Sequence, residues 1–213
     1  MSKGSGSLIG AMVRPRSVAA CDVDGCLFSL ISGFGVGCVT SGPGATNLIT
    51  GVCCSYHDSA ANLFFTGQVG QFHIKKNLNH RQKGFQETSV AKLFSSITKF
   101  SYQINNPSEI DYIIDKAIHI AKSGRPGPVV LDVPFNIQTA YVDPKKLKKY
   151  ISKKNLLSKK TKNKIVNLLK SISSDKKIVI IAGGGIRVSN TAKEFIKFVK
   201  KNNLPFVTSW PSQ

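Results

Sequence analysis

The hydrophobic positions of the chain alternate between short continuous runs and longer stretches with helical spacing. Apolar runs of five or six residues are typical of buried strands, and residues 107–123 repeat apolar positions at the i, i+3, i+4 spacing of an amphipathic helix. The strands predicted here are 36–40, 62–66, 100–104 and 128–133, and the further helices are 45–55 and 88–94. Strands that alternate with helices favour a parallel sheet covered on both faces.

The alternation pauses after Pro134 in a lysine-rich connector and then restarts. The elements predicted beyond the connector are the helices 156–172 and 191–201 and the strands 177–182 and 204–208. A unit of two strands and two helices cannot bury both faces of its sheet, so we expect the chain to be an interior part of a longer molecule. The predicted fold class is α/β, with an incomplete parallel-sheet domain followed by the start of a second α/β domain.

The charge of the chain raises the question of an anionic partner, because its 213 residues carry a formal net charge of +19. Ten lysines and no acidic residue lie between Lys145 and Lys164, whereas the whole chain has five arginines. Proteins that read nucleic acids favour arginine for bidentate contacts and aromatic residues for base stacking, and only Tyr150 interrupts the lysines. The tract is therefore typical of a solvated linker, and a nucleic-acid partner is not favoured.

The remaining composition favours a cytoplasmic protein without a membrane or metal site. No apolar run approaches the ~18 residues of a membrane span, and the first residues lack a signal-peptide pattern. All five cysteines lie in the first quarter of the chain without a CxxC pair, which favours reduced thiols. The four histidines have no metal-ligand spacing, so we predict no metal ligands.

The turn Gly42-Pro43-Gly44 lies between the first predicted strand and the first predicted helix. Ligands bind outside the carboxyl ends of strands in open α/β sheets, and glycine permits close approach of the backbone. Proline suits the first position of a helix. The turn matches neither the dinucleotide fingerprint nor the P-loop. A tight structural turn and a ligand site are equally compatible with these residues.

Five segments in a fixed order carry a more specific signal than the glycine turn. They are CVTSGPGATNLITGVCCSYHDS, FFTGQV, GFQETSVAKLFSSITKF, SGRPGPVVLDVPFNIQ and KKIVIIAGGGI. Through them, residues 35–213 resemble the large catalytic subunit of acetohydroxyacid (acetolactate) synthase, a thiamine-diphosphate enzyme. The implied division is an unassigned divergent leader at 1–34, a pyrimidine-binding (PYR) domain without its N-terminal part at 35–140, a lysine-rich linker at 141–165 and the start of the central domain at 166–213.

The resemblance also implies positions for individual residues. Those near the aminopyrimidine and reactive carbon of thiamine diphosphate would be Ser41, Gly42, Pro43, Gly44 and Asn47, with Gln68 facing the active-site region. Those along the approach of a 2-oxo acid to the thiazolium ring would be Phe85, Gln86 and Lys99. Those beside FAD, the second cofactor that the resemblance allows, would be Arg125, Gly183, Gly184 and Gly185. For Lys99, Arg125 and the three glycines, a purely structural position is an equal alternative.

Two features depart from the family pattern. In complete enzymes a glutamate protonates the aminopyrimidine, and a further domain with a GDG motif binds magnesium and diphosphate. Residues 1–32 contain no glutamate, and no GDG motif follows. The loop GQFHIKKNLNHRQKGFQE is also longer than the Pro-Arg-Arg segment of the synthases and differently charged. We therefore predict no catalytic residue here, which leaves open whether the chain is an enzyme by itself.

The leading interpretation is the thiamine-diphosphate-binding part of an acetolactate-synthase-like lyase or transferase. It would be inactive alone and would be completed by a second copy or a full-length homologue. The alternative is a non-catalytic interaction module, a truncated paralogue that pairs with a complete homologue. The leader offers another hypothesis, since ACDVDGCLF resembles the first motif of haloacid-dehalogenase-like phosphatases, with Asp22 and Asp24 as nucleophile and acid. The later motifs of those phosphatases have no counterpart, so an unrelated leader is favoured.

Overall fold

The structure is a computed structural model, and it describes residues 33–75, 79, 81–152, 158–172 and 177–209. The hypotheses on Asp22 and Asp24 therefore lie outside the described residues. The chain divides into two compact units, one ending at Ser152 and the other beginning at Lys153. Among the described helices, none combines the length and hydropathy needed to cross a bilayer.

The first unit is built on a four-stranded parallel sheet in the order β1-β2-β4-β3. Its strands are β1 (Gly35–Val39), β2 (Asn62–Gln68), β3 (Phe100–Gln103) and β4 (Val129–Pro134). In the central pair, Leu63 lies opposite Val129 and Thr66 opposite Asp132. This order confirms the parallel α/β fold that the alternating pattern predicts, and β2 extends two residues beyond the predicted strand.

Helices and short turns connect the strands of this unit. The helices are α1 (Pro43–Asn47), α2 (Ile49–His57), α3 (Val90–Leu93), α4 (Ile110–Lys122) and α5 (Phe135–Gln138), and the 3-10 turns are Gln71–His73, Pro107–Glu109 and Pro144–Lys146. The single helix predicted at 45–55 is divided into α1 and α2. The reason is a tight turn at Leu48, whose N–H bonds to the carbonyl of Ala45 three residues earlier.

Two apolar cores cover the two faces of the sheet, because successive residues of a strand point to opposite faces. On one face, Ile113 of α4 belongs to the same buried cluster as Leu63 and Leu131. On the other face, Phe64 and Val130 are buried with residues of α1, α2 and α3. β4 is buried along its whole length, which explains why its sequence is continuously apolar apart from one aspartate.

The start of α4 is fixed by a capping box around the preceding 3-10 turn. The side chain of Asn106 accepts hydrogen bonds from the backbone N–H and the hydroxyl of Ser108, at 3.0 and 2.9 Å. Glu109 in turn accepts from the backbone N–H groups of Asn105 and Asn106, at 2.9 and 3.2 Å. These bonds satisfy donors that the first turn of a helix leaves without partners.

In its described residues, the second unit has a two-stranded parallel sheet and three helices. Its elements are α6 (Lys159–Ile172), β5 (Ile180–Ala182), α7 (Gly185–Val188), α8 (Ala192–Lys201) and β6 (Phe206–Thr208). An edge-to-face contact between the rings of Phe195 and Phe206, 5.4 Å apart, attaches α8 to β6. The side chains of Ile181 and Val207 stay 75% and 53% exposed, so this small sheet keeps an uncovered face within the described residues.

Replacing Asn106 tests the capping box. We expect Asn106→Ala to lower the free energy of unfolding by about 1 kcal/mol, because the substitution removes the acceptor at the N-cap. Asn106→Asp keeps that acceptor and should stay within a few tenths of a kcal/mol of the original chain. Urea denaturation followed by circular dichroism measures both. Equal stability of the alanine and aspartate variants would contradict the capping assignment.

Candidate functional site

An open cleft lies at the carboxyl ends of β1, β2 and β4. Its volume is about 470 Å³, within the ~300–1,000 Å³ of small-molecule pockets. The lining residues are Cys38, Val39, Thr40, Ser41, Phe65, Thr66, Gly67, Gln68, Val133, Phe135 and Gln138. The carboxyl edge of a parallel sheet is where open α/β folds bind ligands, so the cleft is the candidate functional site of the first unit.

The cleft has an apolar wall and a polar rim. Its larger side chains include Phe65 and Phe135, and Phe135 is 62% exposed. The hydroxyls of Thr40 and Ser41 border the cleft and make no hydrogen bond to another described residue. Gln138 is already engaged, since its amide nitrogen donates to the carbonyl of Val133 at 2.7 Å. The arrangement suits a flat ligand with an apolar face and a hydrogen-bonding edge.

The glycines of the turn approach protein, whereas the cleft opens beside Ser41. Gly42 has φ +59° and ψ −117°, and a Cβ there would lie 2.6 Å from the carbonyl oxygen of Gln86. A Cβ on Gly44 would lie 2.6 Å from Cγ2 of Thr40. Packing of the backbone therefore explains why glycine occupies both positions. Pro43 is the first residue of α1 and is exposed, as is Asn47 at the end of that helix.

Gln68 and Thr66 are buried at the floor of the cleft, where they hold the carboxylate of Asp132. Thr66 Oγ1 donates to Asp132 Oδ1 at 2.8 Å, and Gln68 Nε2 donates to Asp132 Oδ2 at 3.0 Å. Gln68 Nε2 also donates to the carbonyl of Thr88 at 2.6 Å, and its Oε1 accepts from the N–H of Val69 at 3.0 Å. All the hydrogen-bonding atoms of the Gln68 amide thus have partners in the protein.

The environment of Asp132 opposes its ionisation. The side chain is fully buried in β4, and this burial raises its pKa to about 6 despite the hydrogen bonds from Thr66 and Gln68, which lower it. Asp132 is thus a hydrogen-bonded structural residue, as its place in an apolar strand indicates, and its protonation changes around its pKa of about 6.

Glu87 connects two described parts of the segment between β2 and α3. Its carboxylate accepts from the backbone N–H of Lys75 at 2.9 Å and of Lys83 at 2.8 Å. Desolvation raises the pKa of Glu87, yet hydrogen bonds from the backbone of Lys83, Lys75 and Gly84 outweigh it and leave the pKa below its ordinary value. Within this loop, Gln86 has φ +59° and Phe85 is 79% exposed.

The side chain of Lys99 reaches the C-terminal end of α4 and does not line the cleft. Its ammonium group donates to the carbonyl of Ile120 and, at 2.5 Å, to that of Ser123, at the C-terminus of α4. Burial lowers the pKa of Lys99. A cation at this position satisfies carbonyls that the last turn of a helix leaves without partners.

The side chain of Arg125 makes the same kind of contact at the C-terminal end of α2. Its Nε donates to Ser59 Oγ at 2.6 Å, and its NH2 group donates to the carbonyl of His57 at 3.1 Å. For Lys99 and Arg125, these contacts support the structural alternative that the sequence leaves open. The glycines 183–185 belong to the second unit, where Gly184 caps α7 and Gly183 approaches Ser209.

Sequence reasoning did not assign Thr66 or Gln138 to a site, although both line the cleft. Thr66 could have been recognised because it is a polar residue in an apolar strand. A parallel register would have placed it beside Asp132. The signal for Gln138 was its place just beyond a buried strand. Among the described residues, no group of three or more His, Cys, Asp or Glu side chains could hold a metal ion.

Comparison with known proteins decides the family of the chain, although no protein-family model matches it. The acetolactate synthase large subunit of Lactococcus lactis is 41% identical over 180 residues, which cover 82% of this chain and 30% of that protein. A probable acetolactate synthase large subunit of Methanocaldococcus jannaschii is 36% identical over 210 residues, 95% of this chain and 34% of the relative. This chain is a member of the acetolactate synthase large-subunit family.

The similarity extends to acetolactate synthase 2, chloroplastic, of Nicotiana tabacum, which is 35% identical over 189 residues, 85% of this chain and 27% of the relative. The resemblance read from the five motifs is thereby confirmed, and with it a thiamine-diphosphate-dependent family. The chain spans about a third of the length of the acetolactate synthase large subunits that it matches.

The cleft of this acetolactate synthase homologue fits the ring portion of thiamine diphosphate. An aminopyrimidine is flat, with an apolar face and polar edges, and Phe65 and the hydroxyls of Thr40 and Ser41 provide matching surfaces. The described residues offer no carboxylate cluster for the magnesium ion that accompanies a diphosphate. The fit therefore concerns the ring end of the cofactor.

Alanine substitutions at Gly42 and Gly124 separate the cost of a positive φ from the cost of a steric collision. Gly124 also has φ +59°, but a Cβ there would meet nothing within 4 Å. We expect Gly124→Ala to lower the free energy of unfolding by about 1 kcal/mol through backbone strain. Gly42→Ala should cost about 3 kcal/mol or more, because the methyl group would also collide with Gln86. Urea denaturation measures both values, and equal losses would show that the turn is not packed against the loop.

The pKa of Asp132 predicts how stability depends on pH. Between about pH 4 and pH 6 the folded chain keeps a proton that the unfolded chain has lost, so the free energy of unfolding falls as pH rises. Over this range, Asp132 lowers the free energy of unfolding by at most about 3 kcal/mol. Asp132→Asn removes this contribution, so its stability relative to the original chain should increase from pH 4 to pH 7. A constant difference across this range, in urea titrations, would contradict the raised pKa.

Proposed function

We propose that the cleft beside Ser41 is the aminopyrimidine part of a thiamine-diphosphate site in an acetolactate-synthase-like enzyme. The observation that carries the proposal is the position of the cleft: it lies at the carboxyl ends of three parallel strands, next to the SGPGATN turn, which belongs to one of the five segments that resemble the family. When bound, thiamine diphosphate supplies the carbon nucleophile for decarboxylation and carboligation of 2-oxo acids.

The residues of this chain would bind and orient the ring. The hydroxyls of Thr40 and Ser41 are available to its polar edge, and the apolar wall of the cleft excludes water from its face. Gly42 and Gly44 act indirectly, because their missing side chains let the turn pack closely and keep Ser41 at the rim. Gln68 would form the floor through its buried amide, with no hydrogen-bonding atom left for the ligand.

The reaction itself requires groups that the described residues do not provide. The 2-oxo-acid substrate, the diphosphate and magnesium would be bound with a partner, which we propose to be a second copy of this chain or a full-length homologue. Phe85 stands 79% exposed on the loop and is accessible to such a partner or to a substrate. Contacts of FAD with Arg125 and with the glycines 183–185 stay a prediction, as does a cytoplasmic location.

Titration with thiamine diphosphate and magnesium tests the ring site. We expect weak binding, because only part of the ligand is held. The dissociation constant should lie in the millimolar range, which corresponds to a binding free energy of about −4 kcal/mol. Amide shifts in nuclear magnetic resonance spectra should concentrate at Thr40, Ser41 and Gln138. Magnesium pyrophosphate, which lacks the rings, is the matched ligand control and should leave these amides unchanged. Equal shifts with both ligands, or none with thiamine diphosphate, would refute the proposal.

Co-purification with a full-length acetolactate synthase large subunit tests the alternative of a non-catalytic interaction module. That alternative would be favoured by a stable complex in which this chain shows no detectable binding of thiamine diphosphate. A complex in which the cleft amides shift on addition of the cofactor would favour the enzyme part. The two outcomes differ in the response of the cleft, so the same samples separate them.

A further inference from the structure

The orientation of the Gln68 amide is fixed by its three hydrogen-bond partners. Its nitrogen lies between two acceptors, Asp132 Oδ2 and the carbonyl of Thr88, and its oxygen faces the N–H of Val69. Rotating the amide by half a turn would point its oxygen at both acceptors and its nitrogen at a donor. Asp132 therefore contributes one of the two acceptors that hold the nitrogen in place.

The Gln68 amide connects the sheet to the loop at residues 84–88. The bond to the carbonyl of Thr88 joins β2 to the end of this loop. Two residues earlier, Gln86 has a positive φ and its carbonyl oxygen packs where a side chain on Gly42 would lie. The loop thus touches the floor of the cleft at one point and the glycine turn at another, so its position sets the geometry of both.

Asp132 does not line the cleft, yet it binds two residues that do. It is fully buried, and its oxygens accept from Thr66 and Gln68. We propose that Asp132 is a positioning residue: its carboxylate holds the Gln68 amide in the orientation that docks the loop 84–88 against the glycine turn and thereby shapes the cleft. The part of this inference that concerns ligand affinity rests on the proposed function, whereas the part that concerns the loop does not.

Amide hydrogen exchange in the full chain tests the positioning through Val69, whose N–H bonds directly to Gln68. Asp132→Leu keeps the shape of the side chain but removes the acceptor. It should accelerate exchange at Val69 and at 84–88 about tenfold relative to the amides of α4, as expected for the loss of a hydrogen bond to a buried carboxylate. Asp132→Asn keeps an acceptor at only one of the two oxygen positions and should give an intermediate acceleration of about threefold.

Thr66→Val is the matched control, because it removes the other hydrogen bond of Asp132 and leaves the one to Gln68. Its loop amides should exchange within about twofold of the original chain. Exchange that is unchanged in Asp132→Leu, or that rises equally in the loop and in α4, overturns the proposal. If the leucine variant does not fold, Asp132→Asn decides: equal exchange in its loop and in α4 overturns the proposal, and selective acceleration in the loop supports it.

The ligand measurement is separate from the exchange measurement. Thiamine diphosphate with magnesium should bind Asp132→Leu at least about threefold more weakly than the original chain, because the loop beside the turn is released. Selective loosening of the loop in a chain that does not bind thiamine diphosphate would leave the positioning intact and refute the proposed function. Binding of equal strength to the original chain and to Asp132→Leu, with a loosened loop, would restrict the positioning to the loop and overturn the link to the cleft.

Discussion

The register between β2 and β4 is the constraint on which the first unit depends. Asp132 is the one charged residue of β4, and it is acceptable inside the sheet because Thr66 and Gln68 donate to both of its oxygens. A shift of one residue would turn both donors to the opposite face and leave a buried carboxylate without partners. The same register aligns the ends of the strands, so the packing of the core and the geometry of the cleft have a common origin.

The glycine turn meets a structural requirement beside the proposed ligand site. The missing side chains at Gly42 and Gly44 make room for Gln86 and Thr40, and this close packing brings the turn beside the open end of the sheet. A turn held against its own protein is rigid before any ligand arrives. Such preorganisation lowers the entropic cost of binding, which matters for a site whose contacts are few.

The fold could be predicted from the sequence further than the site could. Continuous apolar runs and the helical spacing of α4 gave elements within a few residues of their observed bounds, because burial of whole strands leaves a strong pattern. The break at Leu48 was missed, since a single 3-10 hydrogen bond leaves no trace in the pattern. The contacts of Lys99 and Arg125 with helix ends were also beyond prediction, because they join residues distant in sequence whose pairing only the tertiary structure defines.

Cys38 lies on the wall of the cleft, and desolvation raises the pKa of its thiol. At neutral pH the sulfur is therefore protonated and reacts slowly with alkylating reagents. A molecule that settles against this wall would cover the sulfur and slow the reaction further. Once the other four cysteines, among them the exposed Cys54, are replaced, the alkylation rate of Cys38 becomes an intrinsic gauge of occupancy that requires neither turnover nor a label.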